Sequence, residues 1–553
     1  MNGQTPERFQ SRVSPVDRDL AARQWAEWRA TRRGLLKSAG LTAGSLTVGG
    51  GALLAPPALH AAAQDGEPKL GGAISMSLAD DDVTTFDPII PFDNMAIWTM
   101  LLIYDQVIRV GPDGLSLEPG LAESWDVSDD GLTYTFNIRQ ANFHDGTPVT
   151  ASDVAFCLNR TAFDEASSMT FFFSAVANFE ATDEQTVVAT LNDVWVPFEA
   201  DLALFGASIY PQAAFEAQGD ELWEAPIGSG PFMFESWERG AQIVLNKNPE
   251  YWDEGKPYLD QLTFKVLTDS NARMLQFQGG ELDIVTDVPF NQIEPLSQNP
   301  DYVVLPDDAA ARIDYIALNV TRAPLDDKIL RQAINYAVDK DAIIQNVLFG
   351  AGVPATSYLP LMAGHDPDSP GYPFDLERAR QLVAESNSPD GFTFELLTSV
   401  GDTVGSQVCQ LVAAQLAEIG GQVTVTQLEP AVQTERTTVD VDYDASKSYY
   451  TTDIIDPSQL STFAVLGDDD FKAVWTNYNN EEVDQLISNA QSETDPDARL
   501  EMYHQIQAMH LDDAPFIFLF YPTGRSATQS YVKNFHILPT GNYRLYETWR
   551  DDV

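Results

Sequence analysis

Cysteine is nearly absent. Cys157 and Cys409 are the only two in 553 residues, which excludes a disulfide-stapled scaffold and a thiolate metal site. Each stands on an apolar, helically periodic stretch, so both read as buried thiols rather than partners in a bridge. Basic residues are scarce too: 32 Lys and Arg face 82 Asp and Glu, a net charge of −50. Such a chain repels phosphates, which excludes nucleic-acid partners and disfavours anionic membranes. The acid excess reads as a solvated surface suited to a salty exterior. Histidines number 6. They are dispersed, with no H-E-x-x-H and no cysteine–histidine cluster, so no metal ligands are assigned. Neither a G-x-S-x-G elbow nor Walker spacing occurs, and Asp-Asp pairs read as turns. No catalytic residues and no cofactor follow. Beyond the N-terminus, no apolar run approaches the ~20 residues that span a bilayer.

The N-terminus reads as an address. Arg32-Arg33 lies within TRRGLLK, an Ala/Gly-rich apolar run covers 38–57, and Ala61-Ala62-Ala63 offers small residues for cleavage. This is the pattern of a twin-arginine export signal over 1–63. No Cys stands at the cleavage site to carry a lipid.

What remains is globular, with 44% hydrophobic residues, and long enough for two or three lobes. The stretch 121–160 organises it. Leu132, Tyr134, Phe136 and Ile138 alternate with polar residues, which predicts a half-buried strand after the Asp129-Asp130-Gly131 turn. Thr150, Ser152 and Asp153 supply N-cap chemistry for a helix beginning near Val154. Further on, Gly228-Ser229-Gly230-Pro231 predicts a tight turn before a hairpin. Ile329, Leu330, Ala333, Ile334, Ala337 and Val338 predict one apolar helical face. From 375 to 428 a helix, a strand, a helix and a strand alternate, the pattern of an α/β layer. Pro515–Tyr521 is a continuous apolar strand, read as returning the chain to the first lobe.

Four blocks carry a family resemblance: LAESW with DDGLTYTF and FHDGTPVTASDV; IGSGPFMF…NPEYW; PLDDKILRQAINYAVDKDAI; and YYTTDIIDP. Their order resembles the peptide/nickel class of extracytoplasmic solute-binding proteins of ABC importers (solute-binding family 5). The resemblance implies an α/β, two-lobed periplasmic-binding-protein fold (class II-like) with an additional inserted subdomain. Lobe I would comprise 68–110, 227–312 and 520–553, the insert 111–226, and lobe II 313–519. It also implies a periplasmic monomer that captures a small solute, a peptide first, and hands it to ABC permease subunits served by a separate ATPase.

For the ligand site the resemblance implies Asp453, which in dipeptide and oligopeptide binders holds the ligand's α-ammonium, with Tyr450 three residues before it and Tyr449 and Thr451 alongside. The other reading of Asp453 is local backbone capping. Tyr315 matches a cleft aromatic at the lobe crossing, and Trp98 is a cleft candidate by position alone, with core packing the stronger reading. Ser399 stands where dipeptide binders place an arginine for the ligand carboxylate. That departure leaves longer peptides, amines, metal chelates and oligosaccharides open beside dipeptides.

Overall fold

In the computed structural model, residues 67–553 are described except 79–81, 91–92, 306–311, 468–475, 539, 541 and 543. The signal reading for 1–63 lies outside the described residues. Three sheets organise the rest. The first has seven strands, ordered Tyr302–Leu305, Ser526–Gln529, Ile284–Val285, Ala73–Leu78, Gln261–Val266, Gln242–Lys247 and Phe232–Glu238. Ala73–Leu78 pairs in parallel with both of its neighbours. The second has six, ordered Gly352–Pro354, Phe516–Pro522, Arg312–Leu318, Ala445–Thr451, Phe392–Ser399 and Gly421–Leu428.

The third sheet is four-stranded and antiparallel, and lies in the inserted segment. Its order is Ala122–Val127, Thr133–Ile138, Thr186–Leu191 and Val176–Ala181. Thr133–Ile138 shows the predicted alternation, with Tyr134, Phe136 and Ile138 buried. Thr150 and Asp153 form a reciprocal capping box at the start of the helix Ala151–Phe163, satisfying amides that the first turn leaves without partners. This sheet and the first share one apolar core, which runs from Ile74 and Met76 through Phe136 and Phe198 to Phe264.

The glycines of the 228–231 turn are there for proximity. A Cβ on Gly228 would stand 2.0 Å from the Ile103 carbonyl oxygen, and one on Gly230 2.7 Å from the same atom. The turn is clamped by His144. Its Nδ1 accepts from the Gly228 amide at 3.2 Å, so Nε2 carries the proton given to the Gly230 carbonyl at 3.0 Å. Burial pushes this imidazole down to about 4, the bond to Gly230 opposing. Asp105 sits beneath the turn and accepts from Ser229, Tyr251 and Trp252. The Gly-Ser-Gly-Pro and Tyr-Trp blocks are thus two sides of one buried polar knot.

The chain leaves the first sheet after Leu305 and enters the second at Arg312. It leaves the second after Pro522 and rejoins the first at Ser526. Two connections therefore join the lobes here. The apolar strand Phe516–Pro522 stays wholly within the second sheet, between Gly352–Pro354 and Arg312–Leu318. Sequence reading made it the returning segment, but both of its faces are buried in the second lobe, and the return is the short Thr523–Arg525 link. Ile329 also departs from expectation: it is exposed at the first turn of Lys328–Ala337, while Leu330, Ala333, Ile334 and Ala337 face the core. Cys157 and Cys409 are free and buried in separate cores.

Candidate binding cleft

Phe392–Ser399 and Ala445–Thr451 run parallel but pair only through Leu396–Ala445 and Leu397–Ser446. Beyond that point they diverge. The chain leaves Phe392–Ser399 for the helix Thr403–Ala417 and Gly421–Leu428 on one side, then returns to Ala445–Thr451 on the other. In α/β sheets such a reversal opens a crevice at the carboxyl ends of the strands. Here it encloses about 520 Å³. Tyr315, Ser399 and Tyr449 line it together with Asp402, Gln433 and Lys447.

A chain of ions runs along one wall. The Lys447 ammonium is 2.6 Å from Asp314 and 3.7 Å from Asp402. Asp314 in turn receives Arg312 at 2.8 Å, and the Arg312 guanidinium lies 3.7 Å from the centre of the Tyr449 ring. Lys447 and Asp314 are 3% and 2% exposed, so each charge depends on the other. Burial opposes ionisation of Asp314, but Arg312 and Lys447 outweigh it and hold the carboxyl at about 2. The first lobe reaches this wall through the Asp287–Arg525 pair, 2.9 Å apart, because Asp287 lies within electrostatic range of Arg312.

Ser399 donates to the Gln433 side-chain oxygen at 2.7 Å, and the Gln433 amide donates to Ser446 Oγ and the Lys447 carbonyl. No arginine lines the crevice among the described residues. Asp402 caps the helix Thr403–Ala417 through the Gly405 amide at 2.8 Å.

Asp453 lies two residues beyond Ala445–Thr451. Its carboxylate accepts from Gln459 Nε2 at 2.7 Å, while Gln459 Oε1 receives the Asp453 amide at 2.8 Å. The carboxylate therefore caps no backbone amide in the hydrogen bonds of the described residues. Burial pushes it up to about 6, with the Gln459 bond opposing. The next residue, Ile454, packs into the core of the first lobe, so the loop carrying Asp453 lies where the lobes meet. Between Ser448 and Asp453 the chain spans at most about 18 Å.

The other expected residues separate. Tyr450 turns to the opposite side of the strand from Tyr449, meets the Tyr315 ring at a tilt of 44° and 5.0 Å between ring centres, and donates its hydroxyl to the Tyr358 carbonyl. It supports the site from behind. Thr451 pairs with Arg312 in the sheet register. Trp98, on the helix Asn94–Ile103, packs against the first-lobe core and is not among the crevice-lining residues. Asp402, Gln433, Lys447 and Asp314 were missed by sequence reading. In a chain this acidic an Asp before a helix carries only a capping signal, and strand pairing alone brings Lys447 to Asp314.

Two lobes joined by paired connections, with a polar crevice in the second and a half-buried carboxylate where they meet, fit a protein that grips a solute. The model of bacterial extracellular solute-binding proteins, family 5, matches residues 116–471. The chain belongs to that family. It is 30% identical to the glutathione-binding protein GsiB of Pectobacterium atrosepticum, over 82% of this chain and 90% of that one. It is 32% identical to the probable D,D-dipeptide-binding periplasmic protein DdpA of Escherichia coli, over 83% and 90%. Among solved structures, the periplasmic binding protein DppA of Helicobacter pylori with the peptide STSA superposes with a TM-score of 0.75 at 26% identity, covering 87% and 99% of the two chains. The oligopeptide-binding protein AppA of Bacillus subtilis with a nonapeptide gives 0.75 at 26% identity, covering 88% and 100%. Among the described residues no group of His, Cys, Asp or Glu could hold a metal ion, and no helix is long and apolar enough to cross a membrane.

Proposed function

We propose that this chain captures a peptide with a free amino terminus and passes it to the permease of an ABC importer as a periplasmic monomer, after twin-arginine export and loss of 1–63. Asp453 carries the reading. It is a half-buried carboxylate at the lobe boundary, held by one neutral amide and paired with no cation among the described residues. An ammonium arriving there gains a charge-assisted bond in a desolvated setting. Relatives named for glutathione and D,D-dipeptides, and neighbours solved with a tetrapeptide and a nonapeptide, support a peptide as solute.

The mechanism is closure. Solute touches both lobes only when the cleft is shut, so it shifts the ensemble toward the closed form by its differential affinity for the two states. The link Thr523–Arg525, which carries the chain from the second sheet back to the first, serves as the hinge. The closed surface is what the permease reads, and its ATPase is a separate chain. Denaturing the purified protein and identifying what is released by mass spectrometry tests the ligand. Asp453→Asn then weakens a recovered peptide by about 2 kcal/mol or more, and unchanged affinity would make the carboxylate structural.

A further inference from the structure

Three hydroxyls of the crevice, Ser399, Thr437 and Thr438, have spent their protons within the protein. Ser399 gives its proton to Gln433 at 2.7 Å, Thr437 to the Gln433 carbonyl at 3.0 Å, and Thr438 to the Thr434 carbonyl at 2.8 Å. A hydroxyl whose proton is committed still has lone pairs to offer, so each of these groups accepts on its remaining side. The Gln433 amide protons go to Ser446 Oγ and the Lys447 carbonyl. The charged side chains of the wall cancel: Lys447 and Arg312 face Asp314 and Asp402. A carboxylate entering here would have to draw Lys447 from Asp314, whose carboxylate is 2% exposed, and from Asp402. It would also meet oxygens that offer lone pairs.

On the reading that the solute is a peptide held by Asp453, we propose that the crevice receives a hydrogen-bond-donor end. A carboxamide, an amine or a hydroxyl-bearing terminus fits, and a free carboxylate is selected against. Asp402 and the Ser399–Gln433 pair are the specificity-determining groups. Asp402 supplies an exposed acceptor and holds Lys447 in balance, and Gln433 fixes the direction of the Ser399 proton.

The test uses two matched pools of synthetic tri- to pentapeptides with free amino termini, one ending in carboxylates and the other in carboxamides. Each is equilibrated with the full mature protein, and bound species are quantified by mass spectrometry and calorimetry. Carboxamides should bind about tenfold or more tighter than their matched acids. Ser399→Arg should reverse that preference by supplying a fork-shaped carboxylate partner. Asp402→Asn should narrow it while keeping a capping side chain on the helix, which leaves a folded variant to read if the arginine is not accommodated. Acids binding as well as or better than amides to the wild type overturns the inference and leaves the peptide reading standing. Binding of neither pool overturns the peptide reading, and this inference falls with it.

Discussion

The ring of Phe171, in the inserted subdomain, meets the ring of Phe463, in the second lobe, at 4.8 Å and 76°. Nearby the Val196 amide donates to the Gln491 carbonyl at 2.9 Å. The inserted segment therefore bears directly on the second lobe. Edge-to-face aromatic pairs contribute about 0.5–1.5 kcal/mol beyond the area they bury. Phe171→Ala should weaken solute binding by about that amount, and adding Phe463→Ala should cost little more. Calorimetry on the two single variants and the double variant checks this, and full additivity would show that the rings act separately.

If Asp453 holds the ligand as proposed, binding should depend on pH. Its carboxyl is raised from 3.8 to about 6 in the folded protein. Folding takes up a proton across that window, so the residue's contribution to stability falls as pH rises through it and is constant above. An ammonium ligand needs the carboxylate form. Affinity should therefore climb between pH 4 and 6, by no more than about tenfold per unit, and level off above. Asp453→Asn should flatten the profile, as titration calorimetry at several pH values would show.

Asp314 behaves in the opposite sense. Its carboxyl is held at about 2 against an ordinary 3.8, so its stabilising contribution is present above 3.8 and is lost as pH falls toward 2. Replacing it with Asn leaves Lys447 in a buried wall with Asp402 at 3.7 Å. Breaking a buried pair from one side costs about 3–5 kcal/mol. Urea denaturation at pH 7 should show a loss of that size, and the variant should lose less on acidification than the wild type.

Gly228→Ala tests the polar knot beneath the first sheet. The added methyl meets a backbone oxygen at 2.0 Å, and backbone cannot swing aside as a side chain can. Overpacking of this kind costs about 1–3 kcal/mol. A melting temperature equal to wild type would mean the turn relaxes freely.

The periodic signals were legible from sequence: the alternating strand Thr133–Ile138, the Thr150 capping box and the buried face of Lys328–Ala337. They rest on neighbours within a few positions, and local spacing encodes them. Where Phe516–Pro522 belongs was not legible, because a strand buried on both faces looks the same in either lobe.

The cleft divides in the same way. The sequence blocks around Ser399 and Tyr449–Asp453 singled out two segments far apart in the chain, and the structure brings Ser399 and Tyr449 to one crevice. Only the tertiary structure turned Tyr450 away and set Lys447 between Asp314 and Asp402. Those positions depend on strand register and on the divergence of two parallel strands, relationships between segments more than a hundred residues apart in part, as Asp314 and Lys447 are. A chain's local pattern fixes what each segment can become; which charges finally share a desolvated wall is settled by packing.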